Sequence, residues 1–211
     1  IPNARDDPAI SVLPAMPGVA DDTVAPGPSQ EAVTIVLRDG GAVTLRPVTP
    51  DDRERIVEGF GQLSPESRRL RFHEPRQSLT PAELEFLTTI DQDKHVSWCA
   101  CLADGTGIGI ARYVVDADER GAEIAIAVVD AQQHRGIGRA LLRRLAEIAR
   151  ARGIVTFHAT VLAENRAMLA LICDCRYASD SAKAGLATAP RAAVVRAARR
   201  ILARFIVGSR R

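Results

Sequence analysis

Residues 128–140 read VVDAQQHRGIGRA and join two segments with different hydrophobic periods. Residues 121–129 form a short apolar run typical of a β-strand, whereas residues 136–152 repeat apolar positions at the 3, 4, 7 spacing of an amphipathic helix. Gly136 and Gly138 fall at the helix start and let a ligand approach the backbone. The first N–H groups of a helix lack internal partners and lie at the positive end of its dipole. This junction therefore predicts an anion site, most often for phosphate.

Two well-known phosphate loops do not fit this stretch. It contains no Gly-Lys-Ser/Thr, which excludes a Walker loop, and no G-x-G-x-x-G. The strands before it look antiparallel, which argues against a dinucleotide-binding fold. Arg135 and Arg139 add positive charge to the loop. The remaining alternative is a tight turn whose glycines serve packing alone.

The rest of the chain alternates strand and helix signals. A hairpin is predicted around Asp39-Gly40-Gly41, and three helices begin with a hydroxyl residue followed by proline. A three-stranded meander precedes the loop, and a strand and a shorter helix follow the long helix. The predicted strands are 33–37, 42–46, 95–102, 108–115, 121–129 and 156–161, and the predicted helices are 51–62, 65–72, 81–90, 136–152 and 164–173.

Composition narrows the class of protein. The 211-residue chain is 46% hydrophobic, which is too high for full disorder, and its formal charge of +2 argues against a strongly basic nucleic-acid binder. That charge combines −3 for residues 1–30, −2 for residues 31–188 and +7 for residues 189–211. There is no apolar run near 18 residues and no signal-peptide pattern at the start, so we expect a cytoplasmic protein.

At this point the chain resembles a known family. Residues 133–138 (QHRGIG) look like the Q/R-x-x-G-x-G/A signature of the GNAT N-acetyltransferase superfamily, and the order of elements over about residues 43–177 agrees. Residues 60–72 (FGQLSPESRRLRF) are similar to a segment of bacterial GNAT domains that acetylate protein lysines. The resemblance implies an α+β fold with a mixed, mostly antiparallel sheet flanked by helices.

The resemblance also implies acetyl-CoA as the co-substrate and a set of residues that would bind it. The backbone of Val128 and Val129 would pair with the pantetheine arm where two parallel strands splay apart, and Asn165 would contact the same arm. The pyrophosphate would lie against the loop and the start of the helix. The loop residues in this set are Gln133, His134, Arg135, Gly136, Ile137, Gly138, Arg139 and Ala140.

The implied reaction is acetyl transfer to a primary amine, with a protein lysine as the expected acceptor. Glu123 is the candidate general base, because it is an acid in an otherwise apolar strand, where burial would favour its neutral form. The alternative for Glu123 is a solvent-facing residue paired with Arg112. Asp130 is a second candidate base, but it adjoins the loop and could instead fix it. Two other functions stay open: acetylation of a small-molecule amine, and non-catalytic sensing of acyl-CoA.

Two departures from the family pattern concern the C-terminal half. The tyrosine that often serves as general acid seven residues after the asparagine is Ile172 here. Residues 178–190 show no strand pattern, so the last strand of the sheet is expected to be missing or replaced. We therefore divide the chain into a disordered, proline-rich linker (1–31), a GNAT domain (32–178) and a C-terminal extension (179–211).

The extension is predicted to be a basic amphipathic helix. Val194, Ala198, Ile201, Leu202 and Phe205 form one helical stripe flanked by arginines. Such a helix could cover the open edge of the sheet, or bind an anionic membrane or an acidic partner. Nucleic acid is not expected as a partner, because no aromatic platform accompanies the arginines.

The cysteines form two C-x-C pairs, Cys99 with Cys101 and Cys173 with Cys175. A zinc site usually has two to four residues between its cysteines, so we expect no metal. On a strand, Cys99 and Cys101 would share one face and pack there.

Overall fold

The computed structural model describes residues 30–117, 119, 121–180 and 200–206. The predicted linker lies outside these residues except for its last two positions. The domain core is one sheet with helices on both faces, which confirms the predicted α+β class.

The sheet contains seven strands among the described residues, ordered as they occur in the chain. Every neighbouring pair is antiparallel except the fifth and sixth strands, which run parallel. The mixed, mostly antiparallel sheet is therefore confirmed. The strands are β1 (Val33–Val36), β2 (Ala42–Pro47), β3 (His95–Cys101), β4 (Gly107–Val115), β5 (Gly121–Val128), β6 (Thr156–Leu162) and β7 (Arg200–Ile206).

Two helices begin where their capping residues predict, at Pro65 and Pro81. Ser64 Oγ accepts from the Ser67 N–H at 3.1 Å, and Thr80 and Glu83 form a capping box, each followed by proline at the first turn. The first helix begins later than predicted, because Pro50–Asp52 forms a 3₁₀ turn before it. The helices are α1 (Arg53–Gly61), α2 (Pro65–Phe72), α3 (Pro81–Thr88), α4 (Ile137–Ala151) and α5 (Arg166–Asp180).

Alternate residues of the strands pack into two separate cores. Trp98 and Ala100 of β3 lie in the larger core, which contains the buried stripe of α4, including Leu141 and Leu145. Cys99 and Cys101 point to the opposite face and pack with Ile56 of α1. The sheet is thus covered by α4 on one face and by the α1–α3 region on the other.

The parallel pairing of β5 with β6 is short, and its end determines where a cleft opens in the sheet. β5 and β6 pair only from Gly121–Glu123 to Thr156–His158. Beyond Glu123 the two strands no longer pair, and a cleft opens between them. This confirms the expectation that Val128 lies where two parallel strands separate.

The C-terminal prediction is wrong for residues 200–206. Instead of the second half of a helix, these residues form β7, which pairs antiparallel with β6 over Thr156–Leu162. Without β7, strand β6 would leave a row of unpaired N–H and C=O groups at the edge of the sheet, and pairing satisfies them. The extension does cover the open edge, but as a strand. Residues 181–199 lie outside the described part of the chain.

Among the described residues, no helix has the length and apolar character required to cross a lipid bilayer.

Candidate active site

The loop between β5 and α4 has the geometry of an anion site. Gly136 is the N-cap of α4, adopts a left-handed φ of 96° and supplies no side chain to accept from the first turn. His134 is also left-handed, at φ 63°. The first turn carries no acidic residue, so nothing from it offsets the positive end of the helix dipole. Successive N–H groups in such a turn form a concavity that binds anions.

The predicted role of Ala140 in this loop is wrong. Its N–H donates to the Gly136 carbonyl at 3.0 Å, so it is the first internally bonded N–H of α4. The groups left for a ligand are the earlier N–H groups of the first turn, at Ile137 and Gly138. A Cβ at Gly138 would lie at ordinary contact distance from Leu171 and Val128, at 3.5 and 3.8 Å.

A cleft of about 590 Å³ runs along this loop between α2, β5 and α5. Its size is in the range of small-molecule sites. It brings together most of the residues predicted to bind acetyl-CoA. These are Val128, Gln133, His134, Gly136, Ile137, Gly138, Arg139 and Asn165.

Strand pairing fixes which backbone groups face this cleft. The Val129 N–H donates to the Ile108 carbonyl on β4 at 3.0 Å, so it cannot also bind a ligand. Because hydrogen-bonded positions alternate along an antiparallel pair, the N–H of Val128 points the other way, toward the gap between β5 and β6. The predicted pairing of Val129 with a pantetheine arm is therefore wrong for its N–H group, whereas the N–H of Val128 faces the gap and its pairing stays a prediction.

Arg135 lies beside the cleft and makes contacts within the protein. Its guanidinium pairs with Asp39 at 2.5 Å and contacts Gln132, which joins the β1–β2 turn to the loop. The pKa of the Asp39 carboxyl is lowered by Arg135 and by the Gly41 N–H. Gly41 is needed here, because a Cβ would come 2.5 Å from the Arg135 guanidinium. Arg135 and Ala140 line a neighbouring groove that also contains Arg38, Arg139 and Arg143.

Asp130 acts as a fixing point for the loop. Its carboxylate accepts from the Ser64 N–H at 3.0 Å, the Ser64 hydroxyl at 2.7 Å and the Ser67 hydroxyl at 2.8 Å. Burial alone would raise the pKa of Asp130, but the hydrogen bonds from Ser64 and Ser67 outweigh it and lower the pKa. The lowered pKa disfavours Asp130 as a base. The same hydrogen bonds give residues 64–67 a structural role, because they connect α2 to the loop.

Asn165 and Ile172 have structural roles that are visible in the contacts of α5. Asn165 caps the helix, because its Oδ1 accepts from the Met168 N–H at 3.1 Å, and its side chain also lines the cleft. Ile172 is buried in the larger core, so this position supplies no general acid.

Glu123 lies at the last paired position of β5, opposite His158 on β6. Its side chain is exposed, so the expectation that it is buried is wrong. The alternative pairing is absent as well: among the described residues, Glu123 forms no ion pair with Arg112. The Arg112 guanidinium lies over the Phe86 ring at 4.6 Å. Glu123 is on the α1–α3 face of the sheet, because its neighbours Ala122 and Ile124 belong to the core under α4.

An apolar cavity of about 90 Å³ adjoins the cleft on this face. Phe60, Leu63 and Val129 line it, and Arg71 of α2 lies on the walls of both spaces. Burial and the nearby Arg112 lower the pKa of Arg71 to about 10, while Glu123 acts in the opposite direction. The sequence analysis missed Arg71, and the segment 60–72 that contains it was the available signal.

The cysteine prediction holds for one pair. Cys99 and Cys101 are buried free thiols on one face of β3, with their sulfur atoms 3.8 Å apart. Within the described residues, no three potential metal ligands come together.

Sequence comparisons agree with this geometry. A family model described as the acetyltransferase (GNAT) family matches residues 63–173. "Acetyltransferase PA5475" of Pseudomonas aeruginosa is 34% identical over 140 residues, which cover 65% of this chain and 75% of that protein. "Acetyltransferase Pat" of Mycolicibacterium smegmatis is 37% identical over 138 residues, which cover 64% of this chain and 41% of that protein.

Solved structures agree with the same assignment. The GNAT domain of S. lividans PAT superposes with a TM-score of 0.70 at 32% identity, covering 83% of this chain and 96% of that one. The cAMP-binding acyltransferase from Mycobacterium smegmatis has a TM-score of 0.55 at 29% identity, covering 85% of this chain and 48% of that one. This chain thus spans less than half the length of that acyltransferase and of Pat. By sequence, fold and loop geometry, the chain belongs to the GNAT acetyltransferase family.

Proposed function

We propose that this protein transfers an acetyl group from acetyl-CoA to a primary amine, and that the amine is a protein lysine. The observation that carries the proposal is one cleft in which an anion-binding helix start and an open strand backbone meet. Few ligands besides a coenzyme A thioester need both a phosphate site and an extended arm that pairs with a strand.

Binding would use the groups described above. The N–H groups of Ile137 and Gly138 would hold the pyrophosphate, and Arg38 and Arg139, which also line the cleft, would add positive charge. The pantetheine arm would follow β5 past Val128, whose N–H points into the gap. Asn165 would face the arm from the opposite wall.

The amine nitrogen would attack the thioester carbon directly, forming the N–C bond as the C–S bond breaks and coenzyme A leaves. The Val128 N–H would stabilise the oxyanion that develops on the carbonyl oxygen. Glu123 would accept a proton from the acceptor ammonium, because only the neutral amine is nucleophilic. The thiolate would take its proton from solvent, since Ile172 cannot donate one.

Two observations favour a protein lysine over a small amine. The segment 60–72, which is similar to lysine-acetylating GNAT domains, contributes α2 to the wall of the cleft. One relative is named acetyltransferase Pat, and the GNAT domain of S. lividans PAT has the same fold. A small-molecule amine and a non-catalytic acyl-CoA sensor are the competing functions.

The test begins with calorimetry of the protein with acetyl-CoA, followed by mass spectrometry of protein and small-amine acceptors. We expect binding and lysine acetylation by the unmodified protein. Glu123→Gln should lower kcat by about 100-fold or more without changing the Kd for acetyl-CoA, since general bases contribute about 10²–10⁴-fold. Glu54→Gln, an exposed glutamate on α1, is the matched control.

Each failure has a distinct meaning. Absence of acetyl-CoA binding would refute both the enzyme and the sensor. Equal, near-zero transfer by the unmodified protein and Glu123→Gln, with binding retained, would favour the sensor. Turnover of small amines without any protein modification would refute the lysine assignment alone.

A further inference from the structure

A histidine and an aspartate form a close pair beside Glu123. His158 Nε2 lies 2.8 and 2.9 Å from the two carboxylate oxygens of Asp116, which follows β4. The side chains are 20% and 35% exposed, so the pair is accessible but held within the protein.

The register of the sheet places this pair beside Glu123, the proposed base. His158 is the direct partner of Glu123 across β5 and β6, at the point where the strands begin to separate. Phe157 and Ala159 belong to the core under α4, so His158 faces the α1–α3 side, as Glu123 does. Neighbouring strands lie about 4.8 Å apart, so the two side chains are adjacent on one face.

The backbone is shaped to keep Asp116 in place. The Asp116 N–H donates to the Gly121 carbonyl, and the Glu119 N–H donates to the Asp116 carbonyl, both at 2.9 Å. A Cβ at Gly121 would come 2.3 Å from the Asp116 Oδ2. The carboxylate can therefore reach His158 only because residue 121 is glycine.

The contacts also fix the tautomer of the neutral ring. An ionised carboxylate only accepts hydrogen bonds, so Nε2 of His158 carries the hydrogen. Nδ1 is then the ring atom with a free lone pair and can accept a proton. When it does, the Asp116 carboxylate stabilises the imidazolium, and this is the arrangement that orients a general-base histidine in other enzymes.

We propose that His158, oriented by Asp116, is the proton acceptor that works with Glu123 during acetyl transfer. The proposal rests on the proposed acetyltransferase function. The acceptor ammonium loses its proton to the Glu123 carboxylate, the proton passes to Nδ1 of His158, and the imidazolium releases it to solvent. Histidine is the side chain that most often carries protons in general acid–base catalysis.

Other charged groups surround this corner of the sheet. Arg112 on β4 and Arg71 on α2 both act electrostatically on Glu123. Arg204 occupies the register position opposite His158 on β7. The side chains of Arg112 and Arg71 favour the ionised form of Glu123, and Asp116 is the acidic group in contact with the His158 ring.

The experiment is a pH profile of kcat/KM for acetyl transfer by the full chain, from pH 5.5 to 9. Variants are compared at the same pH, so that titration of the acceptor amine cancels. We expect His158→Gln to lower kcat at pH 7 by roughly 10- to 100-fold. It should also remove one limb of the pH profile and leave the Kd for acetyl-CoA unchanged. Asp116→Asn should change the same limb with a smaller loss.

The matched control is Glu119→Gln. Glu119 lies in the same turn as Asp116, and its replacement breaks an exposed ion pair with Lys94 without affecting a contact of His158. It should leave the profile unchanged. Added imidazole should partly restore the activity of His158→Ala, which a structural role would not allow. If His158→Gln does not fold, Asp116→Asn carries the test.

The possible outcomes separate the two proposals. An unmodified protein that neither binds acetyl-CoA nor transfers acetyl would overturn the proposed function. An active protein whose pH profile is unaffected by His158→Gln and Asp116→Asn would overturn the role of the pair alone.

Discussion

Asp52 forms an ion pair with Arg46 in which its own carboxylate is almost fully buried, and its replacement should have a defined pH signature. Its carboxylate accepts two hydrogen bonds from Arg46 of β2, at 2.6 and 2.7 Å, and one from the Thr49 N–H at 3.0 Å. The side chain is only 4% exposed. Asp52→Asn keeps the shape and the Thr49 contact but removes the charge.

The pKa of Asp52 gives the size of the effect. Burial raises the pKa, but the hydrogen bonds from Arg46 and Thr49 outweigh it and lower the pKa from 3.8 to about 2. Each unit of pKa difference between the unfolded and folded chain corresponds to about 1.4 kcal/mol. The charged carboxylate therefore contributes about 2 kcal/mol to the free energy of unfolding at pH 7.

The sign follows from the lowered pKa. This contribution is fully present above the unfolded pKa of 3.8 and is lost as the pH falls toward 2. Urea unfolding at pH 7, 5 and 3 should thus show Asp52→Asn less stable by about 2 kcal/mol at the first two values and by about half of that at pH 3. A difference that stays constant from pH 7 to pH 3 would refute the reasoning, as would a loss below about 0.5 kcal/mol at pH 7.

Three further perturbations test the loop and the sheet edge. Asp130→Ala removes three hydrogen bonds between α2 and the loop, and calorimetry should show roughly tenfold weaker acetyl-CoA binding, with a smaller loss for Ser64→Ala; equal affinities would contradict the fixing role. Gly136→Ala places a Cβ in left-handed backbone at a cost of about 1–2 kcal/mol, which thermal melting would detect as a lower Tm. Ending the chain before Arg200 exposes the edge of β6, so light scattering should detect aggregation at temperatures where the full chain stays clear.

The parts of the fold that the sequence predicted are those governed by neighbouring residues. The change of hydrophobic period at residue 136 located the start of α4 to within a residue, and the hydroxyl-proline pairs located α2 and α3. In each case the relevant contacts join residues a few positions apart. Local propensity and packing agree there, so the pattern was sufficient.

The parts that it missed depend on distant contacts. Residues 200–206 fit a helical stripe. They form a strand because the edge of β6, over 40 residues earlier in the chain, is available to pair with them. The partners of Asp130 are 63 and 66 residues away. The exposure of Glu123 depends on where β5 and β6 part, and the use of the Val129 N–H depends on Ile108 of another strand.

The hydrogen bonds of Asp130 also have a consequence for how two substrates would bind. They join the turn that would hold the coenzyme phosphates to α2, whose Arg71 lines both the cleft and the apolar cavity beside it. We expect these hydrogen bonds to couple the binding of acetyl-CoA to the binding of the acceptor. Coupling between two sites is reciprocal, so the factor by which acetyl-CoA changes the affinity for the acceptor equals the factor by which the acceptor changes the affinity for acetyl-CoA. Measuring one of these affinities with and without the other ligand, in the unmodified protein and in Asp130→Ala, would give the strength of that link.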